Sequence, residues 1–202
     1  MSFKLLTLQL VLFCCFGQLL SQKAKNQNYH ANLLVNPYTV DGGTVIGWEQ
    51  EKGKWFGHQG NPRDSDDNYF TSRGPNADRS QLINLTNFFS EEVLDKAPPI
   101  VISEVYERVT CGAQYNLELE LLDAKKQVIG TWQSQNKGFK NIDFSIDGYQ
   151  ELLSKRITNY GFGLRYIKWI DKIRGKGTGE SIRLKKAYLG ISPPNLLEVP
   201  EK

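Results

Sequence analysis

Tyr115-Asn-Leu-Glu-Leu-Glu-Leu121 is the stretch that decides the fold, because apolar and polar residues alternate strictly along it. A period of two is typical of a β-strand with one buried face. The side chains predicted to face a core are those of Tyr115, Leu117, Leu119 and Leu121. The side chains predicted to face water are those of Asn116, Glu118 and Glu120.

Further segments have the same strand character and end at Gly, Pro, Asn or Asp turns. They are residues 100–106, 127–132, 139–146 and 163–170. No long amphipathic helix separates them, which indicates an all-β fold, an antiparallel sandwich or barrel. Residues 61–77 are rich in turn formers and are interpreted as a surface loop around a short strand at 69–72.

One short helix is predicted near residues 90–96. Ser90 is a good N-cap, two glutamates occupy the first turn, and Pro98-Pro99 ends the helix. Residues 149–155 are a second possible helical turn.

The last strand changes phase. The apolar residues Ile182 and Leu184 occupy even-numbered positions, whereas the apolar residues Leu189 and Ile191 occupy odd-numbered positions. This shift predicts a β-bulge near Lys185-Lys186.

Composition bounds the class of protein. The chain has 202 residues, of which 40% are hydrophobic and 23% charged, and its formal net charge is +3. These values are typical of a globular protein and exclude a disordered tail, a collagenous repeat and a multi-pass membrane protein. So small a net charge also argues against nucleic acid as a partner.

Residues 1–22 are predicted to be a secretory signal peptide. Lys4 is their only charged residue, and residues 5–16 are apolar except for Thr7 and Gln9. The alternative, a membrane anchor, needs a run of about 20 apolar residues. We therefore expect a secreted protein without a stable membrane anchor. The remaining chain divides into a short extension at 23–31, one domain at 32–192 and a tail at 193–202.

Export also bears on two modifications. After signal removal Cys111 is the only cysteine, so we expect no internal disulfide and a free thiol, with pairing to another chain as the alternative. Asn84-Leu-Thr86 is a glycosylation acceptor, unless the site goes unused.

Several motifs together carry a family resemblance. They are Asn32-Leu-Leu-Val-Asn-Pro37, Gly47-Trp48, Tyr69-Phe-Thr-Ser72, Gln81-Leu-Ile-Asn-Leu85 and Tyr160-Gly-Phe-Gly-Leu-Arg-Tyr-Ile167. In order and spacing the chain resembles the F-box-associated (FBA) domain. That domain is the substrate-recognition module of a group of ubiquitin-ligase adaptors, some of which bind glycoproteins.

The resemblance implies a jelly-roll β-sandwich of the galactose-binding-like type, with end loops that bind the ligand. About ten residues separate the predicted signal peptide from Asn32, too few for an F-box, so F-box and ligase scaffold partners are not expected. The expected partners are glycans or glycoproteins. If the signal peptide is not used, the alternative is a relative that serves glycoprotein quality control or ubiquitin-ligase substrate recognition.

Candidate ligand contacts follow from the resemblance and from the aromatic residues. The family's sugar-binding Tyr-Trp-Lys segment corresponds to Arg183, Leu184 and Lys185, of which only the lysine is shared. Trp55, Tyr69 and Phe70, near Phe56 and His58, could form another aromatic surface, with burial in the core as the alternative. Trp48, Trp132 and Trp169 are interpreted as core residues because each lies inside a predicted strand.

A basic region spans residues 165–186, which contain eight Lys and Arg residues and two acidic residues. It predicts binding to sulfated polyanions or to an acidic protein, with a solvated strand face as the alternative. Its members are Arg165, Lys168, Lys172, Arg174, Lys176, Arg183, Lys185 and Lys186.

Catalytic motifs are lacking in the sequence. His30 and His58 have no metal-ligand spacing, and no nucleophile or phosphate-binding motif occurs. Asp64-Ser-Asp-Asp-Asn68 begins like a calcium loop but lacks its glycine and final glutamate. We therefore expect a binding protein without a cofactor or metal, and not an enzyme.

Overall fold

A computed structural model describes residues 29–37, 45–60, 68–110, 113–134, 149–175 and 180–193. These residues form eight strands, a 3-10 turn at Leu85–Asn87 and one short helix, α1, at Glu91–Leu94. The strands are β1 (Glu49–His58), β2 (Tyr69–Asn84), β3 (Ile100–Arg108), β4 (Gln114–Leu122), β5 (Val128–Gln133), β6 (Tyr149–Ile157), β7 (Tyr166–Arg174) and β8 (Glu180–Ile191). Among the described residues, no helix has the length and apolar character needed to cross a membrane.

The strands pair antiparallel in the order β5-β4-β7-β2-β8-β3-β6, and β1 pairs with β2. Strand β2 belongs to both layers, because its residues 70–73 pair with β8 and its residues 76–84 pair with β7. One layer is therefore β5-β4-β7 and the other is β6-β3-β8. This arrangement confirms the predicted all-β, jelly-roll sandwich.

The predicted alternation of β4 is confirmed on its inner side. Tyr115 and the three leucines at 117, 119 and 121 are buried in the core between the layers. Asn116 departs from the prediction, since it is only 5% exposed and its Oδ1 accepts a hydrogen bond from Ser134 Oγ at 3.1 Å. The polar side of this strand is thus partly covered by the residue that follows β5.

The predicted bulge in β8 is confirmed. Ser103 pairs with Tyr188 and Val105 with Lys185, so β8 carries one extra residue at this point. Lys186 has a φ of 44°, a left-handed conformation that an L side chain rarely adopts. The bulge turns both Leu184 and Ala187 towards the core.

Two local predictions were wrong. Residues 149–155 belong to strand β6, which pairs with β3 and presents Leu153 and Ile157 to the core. Residues 69–84 form one 16-residue strand rather than a loop around a short strand. The turn formers Gly74 and Pro75 lie where β2 passes from one layer to the other, so they bend the strand instead of ending it.

The predicted helix is confirmed over residues 91–94, with extended Ser90 before it and Leu94 buried. The Ser90 side chain makes no capping hydrogen bond. Predictions for residues 1–28, the strand at 139–146, Cys111, Lys176 and the tail from 194 lie outside the described residues.

The segment 29–37 packs along β8. Leu33 N donates to Leu189 O at 2.8 Å, and the Asn32 amide bonds Ala187 O at 2.9 Å and the Leu189 N–H at 3.1 Å. Leu33 and Leu34 are buried in the core. The beginning of the described chain is therefore held by its last strand.

A polar cluster lies at the centre of the core. Arg79 and Asp171 form a salt bridge of 2.6 Å, and Glu104 lies 3.9 Å from Arg79. The Tyr115 hydroxyl donates to Asp171 at 2.8 Å and also bonds Glu104. The Arg79 guanidinium lies 3.9 Å from the centre of the Trp48 ring. Burial, followed by the charge of Asp171, raises the pKa of Glu104 well above its ordinary value.

Candidate functional site

The predicted ligand contacts divide between the two faces of one layer. Trp55, Phe70 and Leu184 point into the core and are 3%, 0% and 1% exposed. Tyr69, Arg183 and Lys185 have the opposite parity along their strands and lie together on the outer face. The burial of the first three favours the core interpretation and removes them from a binding surface in this conformation.

The outer-face group is largely satisfied by its own members. The Arg183 guanidinium lies 4.6 Å from the Tyr69 ring centre, and His58 stacks on the same ring at 4.6 Å. Glu107 forms salt bridges with Arg183 at 3.6 Å and with Lys185 at 3.0 Å. Because Tyr69 is only 9% exposed, its ring offers little surface to a sugar.

The basic region is also extensively paired. Lys168 bonds Glu51 at 2.6 Å, and this contact lowers the pKa of Glu51 and raises that of Lys168. Carboxylates likewise contact Lys172 and Arg174, through Glu118 and Asp78. Arg165 bonds Asp95 at 2.7 Å and Glu91 at 3.2 Å. Six of the eight basic residues, namely Arg165, Lys168, Lys172, Arg174, Arg183 and Lys185, thus have a carboxylate partner.

A cleft of about 450 Å³ lies elsewhere, between the edge strands of the two layers. Strand β5 ends one layer and β6 ends the other, so the interior opens to solvent between them. Its lining includes Gly130, Trp132, Lys155, Arg156, Asn159 and Tyr160.

The register of the strands aims Trp132 and Lys155 into this opening. Trp132 pairs with Leu119, and Lys155 pairs with Ile102, both of which are buried between the layers. Gly130 faces inward on β5 two residues before the tryptophan, and its missing side chain leaves room there. The half-buried Trp132 packs against the core with one part and lines the cleft with another.

Tyr160 holds the chain beyond β6 in place. Its hydroxyl donates to Pro98 O at 2.5 Å, and burial raises its pKa, so the group stays a neutral donor. Phe162 follows two residues later between Gly161 and Gly163, whose φ values are 87° and 84°, and it is 79% exposed. Phe162 is therefore a large exposed aromatic residue two positions after Tyr160, which lines the cleft.

The cleft combines an aromatic wall with polar groups, the chemistry that small-molecule sites in proteins share. Thr131 and Thr158 add hydroxyls, and Asn159 adds an amide. Sequence reasoning assigned Trp132 to the core and took no account of Lys155 and Arg156. The alternation around Trp132 gave its strand correctly, but local sequence does not tell which strands lie at the edges of a sheet.

The two predicted modification sites are Asn84 and Cys111. Asn84 is half-buried, and its Oδ1 accepts hydrogen bonds from Thr86 N at 3.1 Å and Thr86 Oγ1 at 2.8 Å. Glycosylation of Asn84 stays a prediction, and Cys111 is outside the described residues. Over the part of the chain that the structure describes, no group of three or more His, Cys, Asp or Glu residues is placed to hold a metal.

Solved structures share the fold at low sequence identity. The CBM22-1–CBM22-2 tandem domain of Xyn10C from Paenibacillus barcinonensis matches with a TM-score of 0.50 and 15% identity, over 87% of this chain and 50% of that chain. The enzymatically active domain of tailspike protein 4 from bacteriophage CBA120 matches with a TM-score of 0.54 and 13% identity, over 79% of this chain and 21% of that chain. An arabinose-bound α-L-arabinofuranosidase, MgGH51, matches with a TM-score of 0.53 and 14% identity, over 81% of this chain and 27% of that chain.

This chain therefore spans half or less of those three proteins, and the likeness is one of fold alone. It places the sandwich among folds that carbohydrate-binding modules also use. No curated protein matches this sequence. The model of the F-box associated region matches residues 24–182, which is most of the chain. The sequence motifs, the sandwich and this match agree, and the protein belongs to the F-box associated (FBA) family.

Proposed function

We propose that this FBA-family protein is a non-catalytic glycan-binding module whose ligand occupies the cleft between β5 and β6. The observation that carries the proposal is the inward-facing, half-buried Trp132 on one wall of that cleft. The fold shared with carbohydrate-binding modules supports the same class of ligand.

A sugar ring suits this cleft because it has an apolar and a polar aspect. Its C–H face packs on an aromatic ring, while its hydroxyls need directed hydrogen bonds. Trp132 supplies the aromatic surface, and Thr131, Thr158 and Asn159 supply hydroxyl and amide groups around it.

The non-catalytic part of the proposal rests on the lining. The described residues around the cleft include no carboxylate, histidine or cysteine that could act as a general acid, base or nucleophile. The lining thus supports binding without a reaction.

The predicted polyanion surface at residues 165–186 is the weaker candidate. Its cations mostly contact carboxylates, so much of their charge is neutralised locally. The end-loop site built on Tyr69, Arg183 and Lys185 is weaker for the same reason.

We extend the proposal to location, with the protein entering the secretory pathway. Expression in secretory cells should yield protein in the medium whose N-terminus lies after residue 17 or 21. Asn84→Gln should abolish any mobility shift caused by endoglycosidase. Recovery of the intact N-terminus from the cytosol would instead support the ligase-adaptor alternative.

Binding is tested on a glycan array with the purified protein and a Trp132→Ala variant. We expect the wild type to bind, Trp132→Ala to lose binding, and Trp132→Phe to keep part of it. Phe56→Ala is the matched control, since Phe56 is a partly exposed aromatic residue on β1. Thermal melting of each variant checks the fold. Equal binding by the wild type and a folded Trp132→Ala variant would contradict the proposal.

A further inference from the structure

The cleft differs from the rest of the sandwich surface in its charge. Lys155 and Arg156 both line it, and neither has a carboxylate partner among the described residues. Within the described ranges, the Arg156 side chain donates a hydrogen bond to the Ser192 hydroxyl, from Nη1 at 3.3 Å. By contrast, four cations of β7 and β8 each form a salt bridge with an acidic side chain. They are Lys168, Lys172, Arg174 and Arg183.

The charge of the cleft is set by the composition of its described lining. The described lining residues include two cations and no aspartate or glutamate. A concave site with protein on both sides screens charge less than an open surface does, so an anion there is attracted more strongly. The described lining of the cleft is therefore positively charged, whereas most cations of the basic region at residues 165–186 are paired with carboxylates.

The strand register separates the positions of the two cations. Lys155 pairs with buried Ile102 and points into the opening that Trp132 also faces. Arg156 has the opposite parity, pairs with Val101 and hydrogen-bonds Ser192, so its side chain lies on the outer face of β6. Lys155 therefore faces the same opening as a ring stacked on Trp132.

From this arrangement we propose that the cleft selects a saccharide bearing an anionic group, with Trp132 holding the sugar ring and Lys155 holding the anion. The inference rests on the proposed function and adds the chemical class of the ligand. Carboxylate and sulfate share this chemistry, since each accepts charge-assisted hydrogen bonds from Lys and Arg.

The test compares saccharides with and without an added anionic group. Isothermal titration is run with lactose and sialyllactose, and with unsulfated and sulfated chondroitin tetrasaccharides. We expect sialyllactose to bind at least about tenfold more tightly than lactose, since a charge-assisted hydrogen bond contributes that much or more. Tighter binding of the sulfated tetrasaccharide than of the unsulfated one identifies sulfate as the preferred anion, and the reverse order identifies carboxylate. Either order supports the inference.

Variants then separate the inference from the proposed function. Lys155→Met should weaken binding of the acidic sugar about tenfold and weaken lactose binding much less. Lys54→Met is the matched control, because Lys54 is an exposed lysine on β1, a strand that pairs with neither β5 nor β6. A thermal melt of each variant checks folding.

The outcomes that would overturn the inference are distinct. Equal affinity for acidic and neutral sugars, with loss of both in Trp132→Ala, would overturn the anion preference and keep the glycan-binding proposal. Acidic-sugar binding that Lys54→Met weakens as much as Lys155→Met would assign the effect to general surface charge and overturn it as well. A wild type that binds no saccharide would reject both proposals.

Discussion

Arg79 Nε lies 2.6 Å from Asp171 Oδ2, and both side chains are fully buried between the layers. The two residues come from the neighbouring strands β2 and β7, where they also pair directly in register. A buried ion pair can be energetically close to neutral overall, yet removal of one partner leaves a charge without compensation.

The first prediction concerns this pair. Arg79→Met should destabilise the protein by about 3–5 kcal/mol, because Asp171 then lacks its cation. The double variant Arg79→Met/Asp171→Asn should lose less stability than the sum of the single losses. Urea unfolding of the wild type, Arg79→Met, Asp171→Asn and the double variant measures the coupling free energy between the two residues. Simple additivity would show that the two residues stabilise the core independently.

Glu104 predicts a pH dependence. Its pKa in the folded protein is raised well above 4.5 by burial, so the folded state holds this proton more tightly than the unfolded state. The resulting stability is fully present below the unfolded value and is lost as the pH rises towards the folded value. We expect Glu104→Gln to remove a decline in Tm that begins as the pH rises above the ordinary carboxyl pKa of 4.5. A wild type and variant with parallel Tm profiles would contradict this assignment.

The β-bulge predicts a stabilising substitution. Lys186 has a φ of 44°, where glycine is free of the cost that an L side chain meets. Lys186→Gly should therefore raise the free energy of unfolding by up to about 1 kcal/mol. Lys185→Gly, one residue earlier in the ladder, is the control and should lower it. Destabilisation by both substitutions would mean that other contacts of Lys186 outweigh its backbone strain.

Gly53 predicts a steric requirement where β1 follows the bend of β2. Its φ is 69°, and a Cβ added there would lie 2.6 Å from Asn76 O. Gly74 also has a positive φ, of 104°, but a Cβ there meets nothing within 4 Å. Gly53→Ala should thus cost more stability than Gly74→Ala, by about 1 kcal/mol or more. Similar losses in thermal melts would leave backbone strain as the only effect.

Local patterns predicted the parts of the fold that local patterns determine. Alternation gave the inner face of β4, and the parity change between Leu184 and Leu189 gave the bulge in β8. The length of β2 was missed because Gly74 and Pro75 normally end strands, whereas here they serve a bend shared by two layers.

The candidate cleft could not be predicted in the same way. Trp132 has the sequence environment of a core residue, and it faces the core. It also meets the cleft only because β5 and β6 end their layers, and strand order depends on contacts between distant parts of the chain. Likewise, a cluster of basic residues in sequence does not reveal the acids that neighbouring strands place beside them.

The docking of residues 29–37 on β8 constrains the order of folding during synthesis. Leu33 leaves the ribosome long before Leu189, its hydrogen-bond partner, has been made. Until then the apolar pair Leu33 and Leu34 has no native place to be buried. The nascent domain therefore completes its core only after nearly the whole chain has emerged, and early-released fragments would expose this segment to chaperones or aggregation.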